Sequence, residues 1–164
     1  MPKSKFADIV SFNFEKFNQY GFSSVQVIGK DIHIYSPTDR ITKKPAISKS
    51  DNPEELKRTA RFFDLLYLTT YETDVAFLAA AHDKEKPVLI ALSDIFEKEG
   101  LQRAVTINRI SRFIKFCKSY KVAIRVATLA KNEINVRTPE EIVAICSLVD
   151  PDNKETLKSI RPNV

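Results

Sequence analysis

Three short apolar runs in the middle of the chain constrain the fold more than any other feature of the sequence. They occupy residues 62–69 (FFDLLYLT), 74–80 (DVAFLAA) and 86–92 (KPVLIAL), and polar residues bound each of them. Continuously apolar segments of this length are typical of strands that are buried on both faces of a parallel sheet. We therefore predict that all three runs are interior strands of such a sheet.

Strand and helix patterns alternate after these runs. Residues 101–120 have a helical period, and a predicted strand follows at 122–128 (VAIRVAT). A polar connection then leads to a helix from Pro139 to about Val149. The apolar face of the first helix consists of Ile107, Ile110, Phe113, Ile114 and Cys117. This alternation predicts an α/β fold with parallel strands and right-handed crossovers.

The remaining elements are shorter. Strand composition occurs at residues 6–10, 24–28 and 31–35. Helices are predicted after Asn13 up to Gly21, from Pro53 to Arg61, and from Pro151 onwards, and residues 36–52 are predicted to be a long loop. A chain of 164 residues with 43% hydrophobic residues fits one domain that spans residues 1–164.

Glycine is scarce, with three residues at positions 21, 29 and 100. Neither the GxGxxG fingerprint of dinucleotide-binding folds nor the GxxxxGK[ST] phosphate loop can be built from them. The two histidines, His33 and His82, stand apart from each other and from any recognisable set of metal ligands. We therefore expect no catalytic constellation, no bound cofactor and no metal site in the chain itself.

Ser93 and Asp94 directly follow the third apolar run. Functional groups of α/β sheets commonly lie at the carboxyl ends of strands. Ser and Asp are also favoured N-caps, and the sequence IFEKEG that follows can begin a helix. We predict that one of the two residues caps this helix.

The two cysteines and the absence of long apolar runs in the sequence indicate where in the cell the protein acts. Cys117 and Cys146 fall on apolar faces of predicted helices without CxxC spacing, so they predict reduced core thiols rather than a zinc site or a disulfide framework. No apolar run approaches the roughly eighteen residues of a membrane span, and the start of the sequence has no signal-peptide pattern. We expect a cytoplasmic protein with no membrane contact.

Positive charge is concentrated in one part of the chain. The net charge is +5, and the segment from Leu101 to Arg137 holds nine basic residues against one acid, Glu133, which makes it +8. The other 127 residues therefore sum to −3. A local excess of this size indicates an acidic partner such as nucleic acid.

Arg109, Arg112 and Lys115 recur every three residues on the polar side of the long helix, with Arg103 near its start. No acid lies between residues 101 and 120 to pair with them. Three interpretations fit: a solvated helix face, an RNA surface that neutralises phosphates, and a basic scaffold for an acidic protein.

Arg137 and Lys131 belong to the polar connection before the last clear helix. Thr138, Pro139 and Glu141 provide an N-cap, a first-turn proline and a capping box. Arg137 immediately precedes this start signal, and one interpretation is an ion pair with Glu140 or Glu141. Such a pair could also hold the guanidinium in place for bidentate contact with phosphate.

A family resemblance rests on motifs that occur in order. Thr128 ends a strand, Ala130 follows, and a polar stretch leads to an aliphatic–Arg–x–Pro–x–acid–aliphatic pattern at residues 136–142 (VRTPEEI). Upstream are Arg103-Ala104 and a long basic helix that ends in Tyr120-Lys121; downstream, Ser159 and Pro162 form a Ser-x-x-Pro. Over roughly residues 86–163 the chain resembles the thirty-kilodalton protein subunit of archaeal and eukaryotic ribonuclease P.

This resemblance implies a TIM-barrel-like fold, trimmed or incomplete at this length. It implies an RNA-binding subunit that is non-catalytic alone and supports RNA-catalysed removal of 5′ leaders from precursor tRNAs. The Mg²⁺ ions would belong to the RNA active site, and the partners would be ribonuclease P RNA, precursor tRNA, a small α+β protein subunit and other ribonuclease P proteins. The RNA-binding residues that we predict are Arg103, Arg109, Arg112, Lys115, Lys131 and Arg137. A metal-dependent phosphoesterase on a similar barrel remains an alternative.

Overall fold

The computed structural model describes residues 7–152, which contain seven strands, and from residue 53 onwards helices alternate with the strands. The strands are β1 (Ala7–Val10), β2 (Ser24–Val27), β3 (His33–Tyr35), β4 (Ala46–Ser50), β5 (Leu65–Leu68), β6 (Val88–Ala91) and β7 (Ile124–Ala127). The α-helices are α1 (Pro53–Thr59), α2 (Val75–Asp83), α3 (Ser93–Phe96), α4 (Gly100–Ser119) and α5 (Pro139–Val149). Short 3-10 helices occur at Phe17–Tyr20, Ala60–Phe62 and Glu133–Asn135.

The strands form two sheets in which every pair is parallel. One sheet contains β1 and β2, and the other has the order β3-β4-β5-β6-β7. Two isolated parallel bridges, Val10 with Ala130 and Ile28 with Ile32, connect the sheets. The predicted α/β class with parallel strands is therefore confirmed. Within residues 7–152 the strands form no closed barrel, because each junction between the two sheets is a single bridge.

The run at residues 74–80 was predicted to be a strand, and this prediction is wrong. It forms α2, which begins after Asp74, whose side chain accepts a hydrogen bond from the Phe77 amide at 2.6 Å. Phe77, Leu78 and Ala81 are buried at helical spacing, and alanine is the best helix former. A helix is also required here because parallel strands such as β5 and β6 need a long crossover connection.

The other two runs contain β5 and β6, and all eight residues of these strands are buried, as predicted. Helix α4 buries Ile110, Phe113, Ile114 and Cys117, while Ile107 is half-buried. It packs against α3 and α5. The sequence pattern of the long helix therefore identified its core face.

Both cysteines are free thiols in the core. Burial raises the pKa of Cys117 to about 12, and burial with a smaller contribution from Asp150 raises the pKa of Cys146 to about 12. Both thiols remain protonated at neutral pH.

The short helix predicted after Asn13 is the 3-10 turn at Phe17–Tyr20. It ends at Gly21, whose φ of 90° is left-handed and suits glycine. Of the predicted final helix, only the first two residues, Pro151 and Asp152, are described. Ser159 and Pro162 lie outside the described residues. No helix within residues 7–152 is both long and apolar enough to span a membrane.

Candidate nucleic-acid interface

The parallel strands bring several connections to one edge of the structure. Residues 69–74 follow β5, Leu92 follows β6 and residues 128–138 follow β7. We call this side, where the strands end, the carboxyl edge. Parallel α/β folds commonly bind ligands at this edge.

Arg137 lies at the carboxyl edge and is half-buried. Its Nη1 donates hydrogen bonds to the carbonyl oxygens of Ile134, at 3.1 Å, and Val136, at 3.2 Å. Its guanidinium carbon lies 4.7 Å from the centroid of the Phe96 ring, within cation–π distance. These contacts fix the guanidinium before any ligand binds.

The start of α5 has the predicted capping box. The Thr138 hydroxyl accepts a hydrogen bond from the Glu141 amide at 3.4 Å, and the Glu141 carboxylate accepts one from the Thr138 amide at 2.8 Å. The alternative prediction of an ion pair from Arg137 to Glu140 or Glu141 is wrong, since no ion pair within residues 7–152 joins them. Arg137 is held by carbonyl groups and a ring instead of by a carboxylate.

Lys131 and Arg137 line the same cavity, which has a volume of about 160 Å³ and lies between α3 and residues 128–137. Lys131 Nζ is 2.6 Å from Glu97 Oε1, and Glu97 also lines the cavity. The two side chains are 64% and 47% exposed, and ion pairs at this exposure typically contribute only about 0–1 kcal/mol to stability. The structure therefore brings two of the predicted RNA-binding residues together and shows that one of them has an acidic partner.

Two residues that line this cavity, Thr128 and Leu129, are hydrogen-bonded to β1. Thr128 donates from its amide, at 2.7 Å, and from its hydroxyl to the carboxylate of Asp8. Leu129 has a left-handed φ of 49° and donates its amide to the Ile9 carbonyl at 2.9 Å. A leucine in this conformation is strained, and such strain often occurs at functional sites.

Asp8 is a charged residue type in an almost fully buried position. Burial raises its pKa, and the hydrogen bonds from Thr128 and Ile9 and the charge of Arg125 oppose this shift in part. Burial of Arg125 lowers the pKa of its guanidinium, and the nearby charge of Asp8 opposes this shift in part. Asp8 therefore anchors the connection after β7 at an electrostatic cost.

Arg109 and Arg112 line a second cavity, with a volume of about 330 Å³. Its opposite wall is residues 70–73, the connection after β5. Glu72 is the acid in this lining, and no ion pair within residues 7–152 joins it to either arginine. The second cavity thus has two cationic side chains on α4 facing a polar connection.

Arg103 and Lys115 are exposed on α4 and line neither of these two cavities. The Nε of Arg103 donates to the Lys98 carbonyl oxygen at 2.6 Å, which holds it near the start of the helix. The six predicted RNA-binding residues therefore fall into one pair at each cavity and two separate positions on α4.

Sequence reasoning missed a polar cluster at the carboxyl edge. Asp94 accepts hydrogen bonds from the Tyr67 and Tyr71 hydroxyls, each at 2.7 Å. Burial raises the pKa of both tyrosines, and the charge of Asp94 raises it further.

The predicted capping role of Ser93 or Asp94 is wrong, because α3 begins after Leu92 without a side-chain cap. The position of Asp94 directly after a buried strand was the available signal.

Neither histidine is a member of this cluster, as the described hydrogen bonds define it. His33 is in β3, and His82 Nδ1 lies 3.4 Å from the Lys121 carbonyl oxygen. Residues 7–152 contain no group of three or more His, Cys, Asp or Glu side chains that could hold a metal ion.

Comparison of the sequence with protein-family models finds no match, and no curated protein matches significantly. Comparison of the structure does find similar chains. One is a chain in the cryo-EM structure of archaeal ribonuclease P with mature tRNA, with a TM-score of 0.64 and 14% sequence identity. The match covers 94% of this protein and 77% of that chain. At this identity the likeness is one of fold, and it extends over nearly the whole of this protein.

Proposed function

We propose that this protein is a ribonuclease P subunit of the thirty-kilodalton type, which binds RNA and supports RNA-catalysed removal of 5′ leaders from precursor tRNAs. The observation that carries the proposal is the fold shared with a chain of archaeal ribonuclease P over 94% of this protein. The motifs around Arg103, Tyr120 and Arg137 support the same assignment independently, because they come from sequence rather than from fold. As a tRNA-processing subunit, the protein would act in the cytoplasm.

The proposal includes a finer description of the fold. Among the described residues, seven parallel strands lie in two sheets that are bridged at Val10–Ala130 and Ile28–Ile32, and this order supports a description of the fold as a trimmed TIM barrel. In this description the carboxyl edge corresponds to the face on which TIM barrels carry their functional groups.

The chemical role that we propose for the protein is to neutralise and position phosphates. Arg109, Arg112, Lys131 and Arg137 line cavities, and Arg103 and Lys115 extend the positive surface along α4. Hydrolysis would occur at Mg²⁺ ions positioned by the RNA, and a small α+β subunit and other ribonuclease P proteins would complete the particle. The protein itself would contribute phosphate contacts that lower the Mg²⁺ and salt requirements of the RNA.

Reconstitution tests this function. The protein is added to its cognate ribonuclease P RNA and partner subunit, and cleavage of precursor tRNA is followed as Mg²⁺ and salt are varied. We expect stimulation, and we expect Arg137→Ala to reduce it or to raise the Mg²⁺ needed. Arg61→Ala is a matched control, because Arg61 also stacks on a phenylalanine, Phe62, with 4.5 Å between guanidinium carbon and ring centroid, but precedes β5 rather than following a strand.

Two results would contradict the proposal. Cleavage that does not depend on the protein would remove its assigned role. Turnover of RNA or phosphoesters by the purified protein with Mg²⁺ or Mn²⁺, in the absence of ribonuclease P RNA, would identify a phosphoesterase instead. An effect of Arg61→Ala equal to that of Arg137→Ala would show that the carboxyl edge has no special part in the stimulation.

A further inference from the structure

Lys131 has an anionic partner at the carboxyl edge, the carboxylate of Glu97. Both side chains line the 160 Å³ cavity, with 2.6 Å between Nζ and Oε1. A carboxylate at this distance presents to the ammonium group the same kind of anionic oxygen that a phosphate would present. Because both side chains are largely exposed, the pair is weak enough for a phosphate to replace it.

Arg137 offers a second contact to the same cavity. A guanidinium has five N–H donors, and Nη1 directs its two toward the carbonyl oxygens of Ile134 and Val136. The Nε and Nη2 donors make no hydrogen bond to the described residues. These two nitrogens form a fork that matches two phosphate oxygens. The contacts already made by Arg137 therefore leave its bidentate edge available.

The size of the cavity limits its occupant. Pockets that enclose drug-sized ligands have volumes of roughly 300–1,000 Å³. At about 160 Å³, the cavity between α3 and the connection after β7 has room for a phosphate group, whereas the rest of a nucleotide would lie outside it.

We propose that this cavity binds one backbone phosphate of RNA between Arg137 and Lys131, and that Glu97 is an internal competitor which this phosphate displaces from Lys131. The assignment of this phosphate to RNA rests on the proposed function, while the competition by Glu97 rests on the geometry of the cavity. Glu97 lowers the positive charge of the free site. A phosphate that belongs to an RNA with further contacts along α4 can displace it more readily than an isolated phosphate ion.

A double-mutant cycle tests the competition. Binding of the labelled cognate ribonuclease P RNA is measured for the wild-type protein, Glu97→Gln, Lys131→Gln and the double variant. We expect Glu97→Gln to tighten Kd about two- to five-fold when Lys131 is present, which corresponds to loss of a competing surface ion pair. The gain should be smaller when Lys131 is absent, because there is then no pair to break.

Glu133→Gln is the matched control for the change in net charge. Glu133 is exposed on the same connection and forms no ion pair with the described residues. A gain from Glu97→Gln that equals the gain from Glu133→Gln, or that is the same with and without Lys131, would overturn the proposal. Either result would mean that Glu97 acts only through the overall charge.

A second measurement separates this inference from the proposed function. Inorganic phosphate is titrated into ¹⁵N-labelled protein, and the Nε–H signal of Arg137 and the amides of residues 129–131 are followed by NMR. We expect saturable shifts that occur at a lower phosphate concentration in Glu97→Gln. In Arg137→Gln, which lacks the Nε–H signal, we expect the shifts of the amides of residues 129–131 to disappear. Unchanged signals elsewhere verify that each variant is folded.

The two measurements have distinct outcomes. Absence of shifts in both the wild-type protein and Glu97→Gln would overturn the phosphate site even if the protein stimulates ribonuclease P. Shifts with inorganic phosphate but no Lys131-dependent coupling in RNA binding would overturn RNA as the source of the phosphate. Failure of stimulation in reconstitution, with both coupling and shifts retained, would contradict the proposed function alone.

Discussion

Tyr71 and Tyr67 provide a test of the cluster that holds the carboxyl edge together. Both hydroxyls donate to Asp94, but the Tyr71 hydroxyl also accepts a hydrogen bond from the Ala91 amide at 3.0 Å. Ala91 lies beyond the residues at which β6 pairs with β5. The Tyr71 hydroxyl therefore takes the place of a β5 carbonyl oxygen as the hydrogen-bond acceptor for this buried amide. We predict that Tyr71→Phe destabilises the protein more than Tyr67→Phe does.

The structure supports a magnitude for each change. Tyr67→Phe removes one hydrogen bond to a carboxylate that is partly exposed and can bind water instead, so we expect a loss of about 1–2 kcal/mol. Tyr71→Phe removes an equivalent bond and leaves the buried Ala91 amide without an acceptor, which brings the expected loss to about 2–5 kcal/mol. The edge-to-face contact of residue 71 with Phe113, at 5.8 Å between ring centroids, is preserved by phenylalanine.

Urea denaturation followed by circular dichroism measures both losses. For a protein of this size, thermal unfolding should show a decrease in Tm of about 2–4 °C for each kcal/mol. Tyr120→Phe is the control, because the Tyr120 hydroxyl makes no hydrogen bond to the described residues, and we expect a change within about 0.5 kcal/mol. Equal losses for the two cluster variants, or a larger loss for Tyr67→Phe, would refute the role assigned to the Ala91 amide.

Two further predictions concern stability. Because burial raises the pKa of Asp8 above its ordinary value of 3.8, its contribution to the free energy of unfolding is largest below that pH and falls as the pH rises through the folded-state pKa. Subtracting the stability of Asp8→Asn from that of the wild type, measured in urea from about pH 3 to about pH 8, should give a difference that declines with pH, and a rising difference would contradict this. Thr138→Ala should cost about 1 kcal/mol by removing the cap of α5, whereas Thr138→Ser should cost much less, and equal losses would show that the cap is not the cause.

Local sequence signals predicted much of the fold. The long helix, the capped start of α5 and the buried strands β6 and β7 each have a signal that lies within the element itself. The run at residues 74–80 was assigned wrongly, because a short apolar run without a clear period fits a buried strand and a buried helix equally well. Its alanines and the connection length between parallel strands were the information that could have decided between them.

The candidate site was less predictable, because its contacts join residues that are distant in sequence. The position of Arg137 next to a helix start was visible, but its stacking on Phe96 depends on how α3 packs near the connection after β7. The pairing of Lys131 with Glu97 has the same origin. The prediction that Asp94 is a cap relied on local sequence, whereas its two donors, Tyr67 and Tyr71, lie in β5 and in the connection after it.

The hydrogen bonds between β1 and the segment after β7 determine when the candidate site can form. The Leu129 amide donates to the Ile9 carbonyl and the Ser11 amide to the Ala130 carbonyl, so the connection that carries Arg137 is held by a strand about 120 residues earlier in the chain. During synthesis, β1 has no partner there until nearly all of the described chain has emerged, and contacts of such long range form late in folding. A ligand at this edge therefore binds only chains in which the two distant segments have met, and its binding free energy stabilises that closure.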